Sequence, residues 1–141
     1  MDEQRQLSLF KGKRQKGTKP PPALERATHI AIADLLRVGL KKDWWASHIP
    51  AGEKRSEATG KLLKRMLLVP GMSDFMLLGP GKVCFLEIKR KPNKLTPAQM
   101  LFGKMALSAG AGYGVAYSYE EAQLILFEWG CLKVTPNWLR E

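Results

Sequence analysis

Cysteine is scarce in this chain of 141 residues: there are two, Cys84 and Cys131. They are too few for a disulfide framework, and they lack the close spacing of a metal-binding pair. That usage fits a reducing compartment. Long apolar runs are missing too, none approaching the roughly 18 residues that a membrane span needs. The opening Met1-Asp2-Glu3-Gln4-Arg5 has no signal-peptide pattern, so a soluble, cytoplasmic protein is expected. No internal repeat is visible, which excludes solenoids and propellers. Acidic residues are in deficit, 13 against 23 basic ones, leaving a formal charge of +10. An excess of that size, with clustered Lys and Arg, implies a polyanionic partner rather than charge for solubility alone.

What is present suffices for one domain. The apolar fraction is 45%, and a chain of this length falls at the commonest domain size of about 100 to 150 residues. Residues 1–22 are polar and basic and end in Pro20-Pro21-Pro22, which reads as a flexible arm before a folded domain at 23–141. A helix is predicted from Leu24 to Leu40, with Leu24, Ala27, Ala31, Leu35 and Val38 at helical spacing. A strand follows at Trp44 to Ile49. Ser56 is placed to cap a second helix running to about Leu68, with Lys61, Lys64 and Arg65 on its polar side.

Two short apolar segments, near Phe75 to Leu78 and Val83 to Lys89, flank Gly79-Pro80-Gly81-Lys82 and predict a hairpin. Thr96, Pro97 and Gln99 have the arrangement of a capping box at the start of a helix ending near Gly110. A strand around Gly114 to Tyr117 precedes a helix capped by Ser118, and the stretch from Trp129 to Trp138 is ambiguous. The resulting order of elements predicts an α/β fold with a mixed sheet flanked by helices.

The hairpin carries the chemistry. If Leu78 pairs with Val83, Asp74 falls opposite Glu87, with Cβ atoms about 4.5 to 5.5 Å apart. Side chains alternate along a strand, so Glu87 and Lys89 point the same way, roughly 7 Å apart. A solvated strand face also carries alternating charges, but Val83 and Phe85 share this stripe, and Cys84, Leu86 and Ile88 make the other face apolar. A strand buried on both sides is expected. Two carboxylates at 4 Å repel by about 4 kcal/mol at an effective dielectric of 20. A divalent cation would remove that cost, and Mg2+ is commonly held by one or two carboxylates plus water and phosphate oxygens.

The run Pro70-Gly71-Met72-Ser73-Asp74-Phe75-Met76-Leu77-Leu78, then Phe85-Leu86-Glu87-Ile88-Lys89-Arg90, then Leu95-Thr96-Pro97-Ala98-Gln99 resembles the VRR-NUC branch of the PD-(D/E)XK nuclease superfamily, of the stand-alone phage and bacterial type. The resemblance runs from Glu25 to about Glu121. Its specificity lies in the combined order of an early glutamate, G-x-x-D, E-x-K and a later glutamine. Ser73 stands where the superfamily name has proline, a position that shapes backbone and supplies no ligand.

The resemblance implies a restriction-endonuclease-like core and Mg2+- or Mn2+-dependent cleavage of DNA in a bacterial or phage-infected cytoplasm, with four-way junctions as a candidate substrate and a homodimer as the working form. It assigns the metal to Asp74, Glu87, the main-chain carbonyl of Ile88 and, in an accessory role, Glu25. It assigns the attacking water to Lys89 and places Gln99 beside the site. Gln99 could equally serve only the capping box, and Glu25 only the helix dipole. His29, one turn after Glu25, is more simply a packed histidine than a base.

Lys54, Arg55, Lys61, Lys64, Arg65, Arg90, Lys91 and Lys94 are candidates for holding a DNA backbone. In the arm, Gln6-Leu7-Ser8-Leu9-Phe10 resembles the short peptide by which bacterial replication proteins attach to the sliding clamp, and is otherwise a chance pentapeptide. The rival reading is a non-catalytic DNA-binding or clamp-associated adaptor.

Overall fold

The computed structural model describes residues 22–50 and 55–140. The elements are α1 (Pro22–Gly39), β1 (Trp45–His48), α2 (Glu57–Arg65), β2 (Phe75–Gly79), β3 (Lys82–Ile88), α3 (Pro97–Ser108), β4 (Gly112–Ala116) and α4 (Tyr119–Glu128), followed by a short 3-10 turn at Asn137–Leu139. Four strands form one mixed sheet in the order β1-β2-β3-β4. The first two pairings are antiparallel and β3 with β4 is parallel, joined through α3. The fold is α/β with helices on both sides of the sheet, as the order of elements predicted.

Alternation along the strands divides the sheet into two layers. Phe75, Leu77, Cys84, Leu86, Ile88 and Ala116 are buried with Ile32 and Leu36 of α1 and Ala122 and Leu126 of α4, forming the main core. Burying the larger of these side chains, the Leu, Ile and Phe, stabilises by about 1.5 to 3 kcal/mol each. The other layer is covered by α3, where Phe102 meets Phe85 edge to face with ring centroids 5.0 Å apart. Gly103 lets α3 come close: a Cβ there would sit 2.5 Å from the Tyr113 ring. The hairpin register is the one counted from the turn, with Leu78 opposite Val83 and Gly79 opposite Lys82. Pro80 and Gly81 make the loop, Gly81 supplying a φ of +66°.

The helix boundaries follow their caps. Ser56, Thr96 and Ser118 each accept the backbone N–H three residues on. Helices α3 and α4 end in Schellman closures with Gly110 and Gly130 in the left-handed position. Helix α2 stops at Arg65 rather than near Leu68. The same closure ends it, since Leu67 N–H donates to Lys64 and Leu68 N–H to Leu63, but here a leucine with φ of +70° takes the left-handed position. A terminator without glycine left no mark in the apolar pattern.

Among the described residues, no helix is long and apolar enough to cross a membrane. Gly71 is the glycine on which the site's geometry turns. Its φ is +95°, and a Cβ there would lie 2.3 Å from the Ala98 carbonyl oxygen and 2.8 Å from Gln99 N. The loop leading to Asp74 is thereby pressed on the first turn of α3. We expect Gly71→Ala to cost about 2 kcal/mol or more in urea denaturation. Gly110→Ala, also at positive φ but facing open space, should cost about 1 kcal/mol. Equal losses would show that backbone conformation alone, without the contact to α3, sets the requirement at Gly71.

Candidate functional site

One more step of the β2–β3 register, beyond the pair Phe75 and Leu86, sets Asp74 opposite Glu87. Asp74 is fixed from both sides. Its Oδ2 accepts the Ile88 N–H at 2.7 Å, and its main-chain carbonyl accepts the Ile49 N–H at 2.8 Å. His48 Nδ1 also lies 2.8 Å from that carbonyl and, facing an acceptor, carries its proton there.

Glu87 is 4% exposed. Its Oε1 accepts from Gln99 Nε2 at 2.9 Å, while Oε2 is buried without a hydrogen-bond partner. Burial and then the Asp74 carboxylate push the Glu87 pKa up to about 8; Glu25 adds to the rise, and Lys89 and the nearby Asp74 N–H oppose it. The other three charged residues singled out in the sequence therefore all bear on Glu87 in the fold.

Gln99 performs both of its candidate roles with one amide. Its Oε1 accepts the Thr96 N–H at 2.9 Å, closing the capping box, and its Nε2 reaches Glu87. Lys89 is half-buried and makes no ion pair with a carboxylate among the described residues. Ile88 is buried, spends its N–H on Asp74, and borders a cavity shared with Lys89 and Glu25. Glu25 is felt by Glu87, yet among the described residues no three His, Cys, Asp or Glu side chains are gathered closely enough to hold a metal ion. The innermost acids are the pair Asp74 and Glu87.

His29 is packed, stacked on Phe75 with centroids 4.5 Å apart and edge-on to His48 at the same distance. Of the basic residues, Arg55 donates to the Pro50 carbonyl and Lys61 pairs with Glu57 at 3.4 Å. Lys64, Arg65, Lys91 and Lys94 are exposed, Arg90 is half-buried, and Lys54 lies outside the described residues.

Two polar groups near the acids are buried in a way that the sequence did not indicate: the resemblance gives Ser73 only a backbone-shaping position, and no motif singles out Tyr113. Ser73 is fully buried with its hydroxyl unpartnered. Tyr113, opposite Phe85 on β4, has a buried, unpartnered hydroxyl, and burial together with the Glu87 and Asp74 charges pushes its pKa up to about 12. Only the parallel register of β3 and β4, which no turn in the sequence encodes, brings Tyr113 to this layer. No protein-family model matches the chain, and no curated protein does.

The acid pair makes stability depend on pH. Because the folded Glu87 pKa lies near 8, well above its ordinary 4.5, the folded state holds a proton that the unfolded state has released. This contribution is whole below about 4.5 and is lost as pH rises through about 8, at up to about 1.4 kcal/mol per pH unit. In chelator, thermal melts should show stability falling from pH 5 to pH 8, and Glu87→Gln should flatten the fall. A variant with the parent's full slope would remove Glu87 as its cause.

Proposed function

We propose that the chain is a metal-dependent endodeoxyribonuclease with a restriction-endonuclease-like core. The observation that carries this reading is a buried glutamate with one unpartnered oxygen, facing a second carboxylate across a hairpin, with a lysine two residues on along the same strand face. An acid pair of this kind fits a divalent cation, because Asp74 and Glu87 are each held in place and a cation could take the place of the proton that their repulsion and burial keep on Glu87. Asp74, Glu87 and the Ile88 carbonyl would hold Mg2+ or Mn2+, with Glu25 in an accessory position. Bound there, the ion supplies polarisation of a phosphoryl oxygen and a water of lowered pKa.

The protein's own groups account for the rest of the reaction. Gln99 orients the Glu87 carboxylate through its amide N–H, and the Ile88 N–H does the same for Asp74. Lys89 positions or deprotonates the attacking water and offsets charge developing on the phosphate. Exposed cations at Lys64, Arg65, Lys91 and Lys94 would hold the DNA backbone without reading its sequence. A branched substrate such as a four-way junction, a bacterial or phage-infected cytoplasm and a homodimeric working form belong to the same proposal. The adaptor reading draws on the +10 charge and on the lack of a three-donor metal set among the described residues.

Cleavage assays separate the two. Asp74→Ala and Glu87→Ala should each abolish Mg2+-dependent cleavage of branched DNA, by about a hundredfold or more, with DNA affinity retained. Lys89→Ala should disable single turnover while Mn2+ binding, read by paramagnetic resonance, persists. A purified parent chain that binds DNA and cleaves none of duplex, flap and four-way substrates would favour the adaptor.

Two partner proposals have their own measurements. Light scattering at micromolar concentration should give about twice the 15.8 kDa mass of one chain, and a monomer that cuts both strands of a junction symmetrically would exclude the dimer. The clamp-like peptide Gln6, Leu7, Ser8, Leu9, Phe10 lies outside the described residues. If it tethers the nuclease to a bacterial sliding clamp, Leu9→Ala with Phe10→Ala should abolish clamp binding in calorimetry and leave cleavage of naked DNA unchanged. Unaltered clamp affinity would reject the peptide.

A further inference from the structure

A cavity of about 410 Å³ opens where β3 and β4 end, lined by Glu25 and Thr28 of α1 and by residues 88–91 and 117–120. The two strands run parallel, so both reach it at their carboxyl ends, where open α/β sheets receive ligands. Its volume is that of a small-ligand site, a class that begins near 300 Å³. It adjoins the acid pair through Ile88, Lys89 and Glu25.

The lining is divided by chemistry. Lys89, Arg90 and Lys91 bring three positive charges from the end of β3, and Tyr117, just after β4, and Tyr119, the first residue of α4, bring aromatic surface. Two of the backbone donors around the tyrosines are already engaged: Ser118 Oγ accepts the Glu121 N–H at 3.1 Å, and the Glu121 carboxylate accepts the Tyr117 N–H at 2.6 Å. With Glu25 and Glu120 also in the lining, the tyrosine side disfavours a phosphate. A neutral, flat ring carrying hydrogen-bond donors suits it. The Lys89 to Lys91 side suits the phosphate attached to that ring.

We propose that this cavity holds one unpaired nucleotide of the DNA substrate, its base against Tyr117 and Tyr119 and its phosphate on the Lys89-Arg90-Lys91 side. The inference rests on the nuclease reading and deepens it by naming the feature of the DNA, an unpaired nucleotide, that this cavity would take. A base inside an intact duplex cannot enter such a slot without leaving its stack, which costs a few kcal/mol. A base already unpaired, at a flap, gap or branch, enters without that cost and gains stacking on an aromatic ring. A preference for DNA with unpaired bases would thus come from a slot beside the acids rather than from recognition of a junction as a whole.

The test uses the full chain in chelator and two DNA duplexes, one fully paired and one carrying a single unpaired 2-aminopurine. The unpaired form should bind about tenfold tighter, the scale expected for one stacked base, with its fluorescence quenched. Tyr117→Ala should bring the ratio of affinities close to one while leaving the paired duplex bound as before, and Tyr117→Phe should keep the preference. Tyr119 is less suited to substitution, since it packs against the core; circular dichroism should show the Tyr117 variants folded like the parent chain.

Equal affinities in the parent chain would overturn the proposal, as would Tyr117→Ala weakening both duplexes alike. Cleavage of both duplexes in Mg2+ without that preference would reject the slot and leave the nuclease reading intact. The preference without any cleavage would keep the slot and reject the nuclease.

Discussion

The Gln99 side chain ties a helix terminus to a buried acid. Its oxygen completes the cap of α3 on the Thr96 N–H, and its nitrogen donates to Glu87. An amide is one of the few groups able to do both, because it carries a donor and an acceptor on a rigid plane. The register of α3 over the sheet is thereby coupled to the orientation of the carboxylate. Gly71 enters the same arrangement from the other side, since its missing Cβ lets the loop before Asp74 lie on Ala98 and Gln99. Three segments distant in sequence are fixed at one place.

That arrangement leaves a local deficit. Glu87 is buried with one oxygen unpartnered, Asp74 faces it, and the Ser73 and Tyr113 hydroxyls nearby are buried without partners as well. A buried unsatisfied polar group costs about 1 to 3 kcal/mol, so this corner is destabilised relative to the apolar core on the opposite face of the sheet. The core compensates with a contiguous layer from Ile32 through Leu126. Local instability of this kind, held in place by a rigid surround, is expected where a protein receives a charged ligand.

How much of this was legible before the fold was known follows from the range of each signal. The pairing of Asp74 with Glu87 was legible because a tight turn converts sequence distance into register, and Pro80-Gly81 makes such a turn. The caps at Ser56, Thr96 and Ser118 were legible because a cap is local. Tyr113 was not, because a parallel strand is brought to its neighbour by a whole helix, and its register depends on how α3 seats against the sheet. The end of α2 was hidden for a different reason: Leu67 adopts the left-handed conformation usually taken by glycine, and propensity alone does not assign it there. Whether Gln99 served the cap or the acid could not be decided from spacing, since one side chain does both.

The topology also explains why the acids and the neighbouring cavity lie together. In an all-antiparallel sheet the strand after β3 would return by a short turn, and the space beyond Lys89 would be filled by that turn. The parallel β4 instead arrives through α3 from the far end, so β3 and β4 stop side by side and their exits diverge, one into residues 89–96 and the other into α4. The gap between those exits is lined by cations from one chain segment and tyrosines from the other. Lys89 belongs both to this gap and to the face carrying Glu87. Lys89 therefore stands at the boundary between the acid pair and the tyrosine-lined cavity, so that one cation faces both.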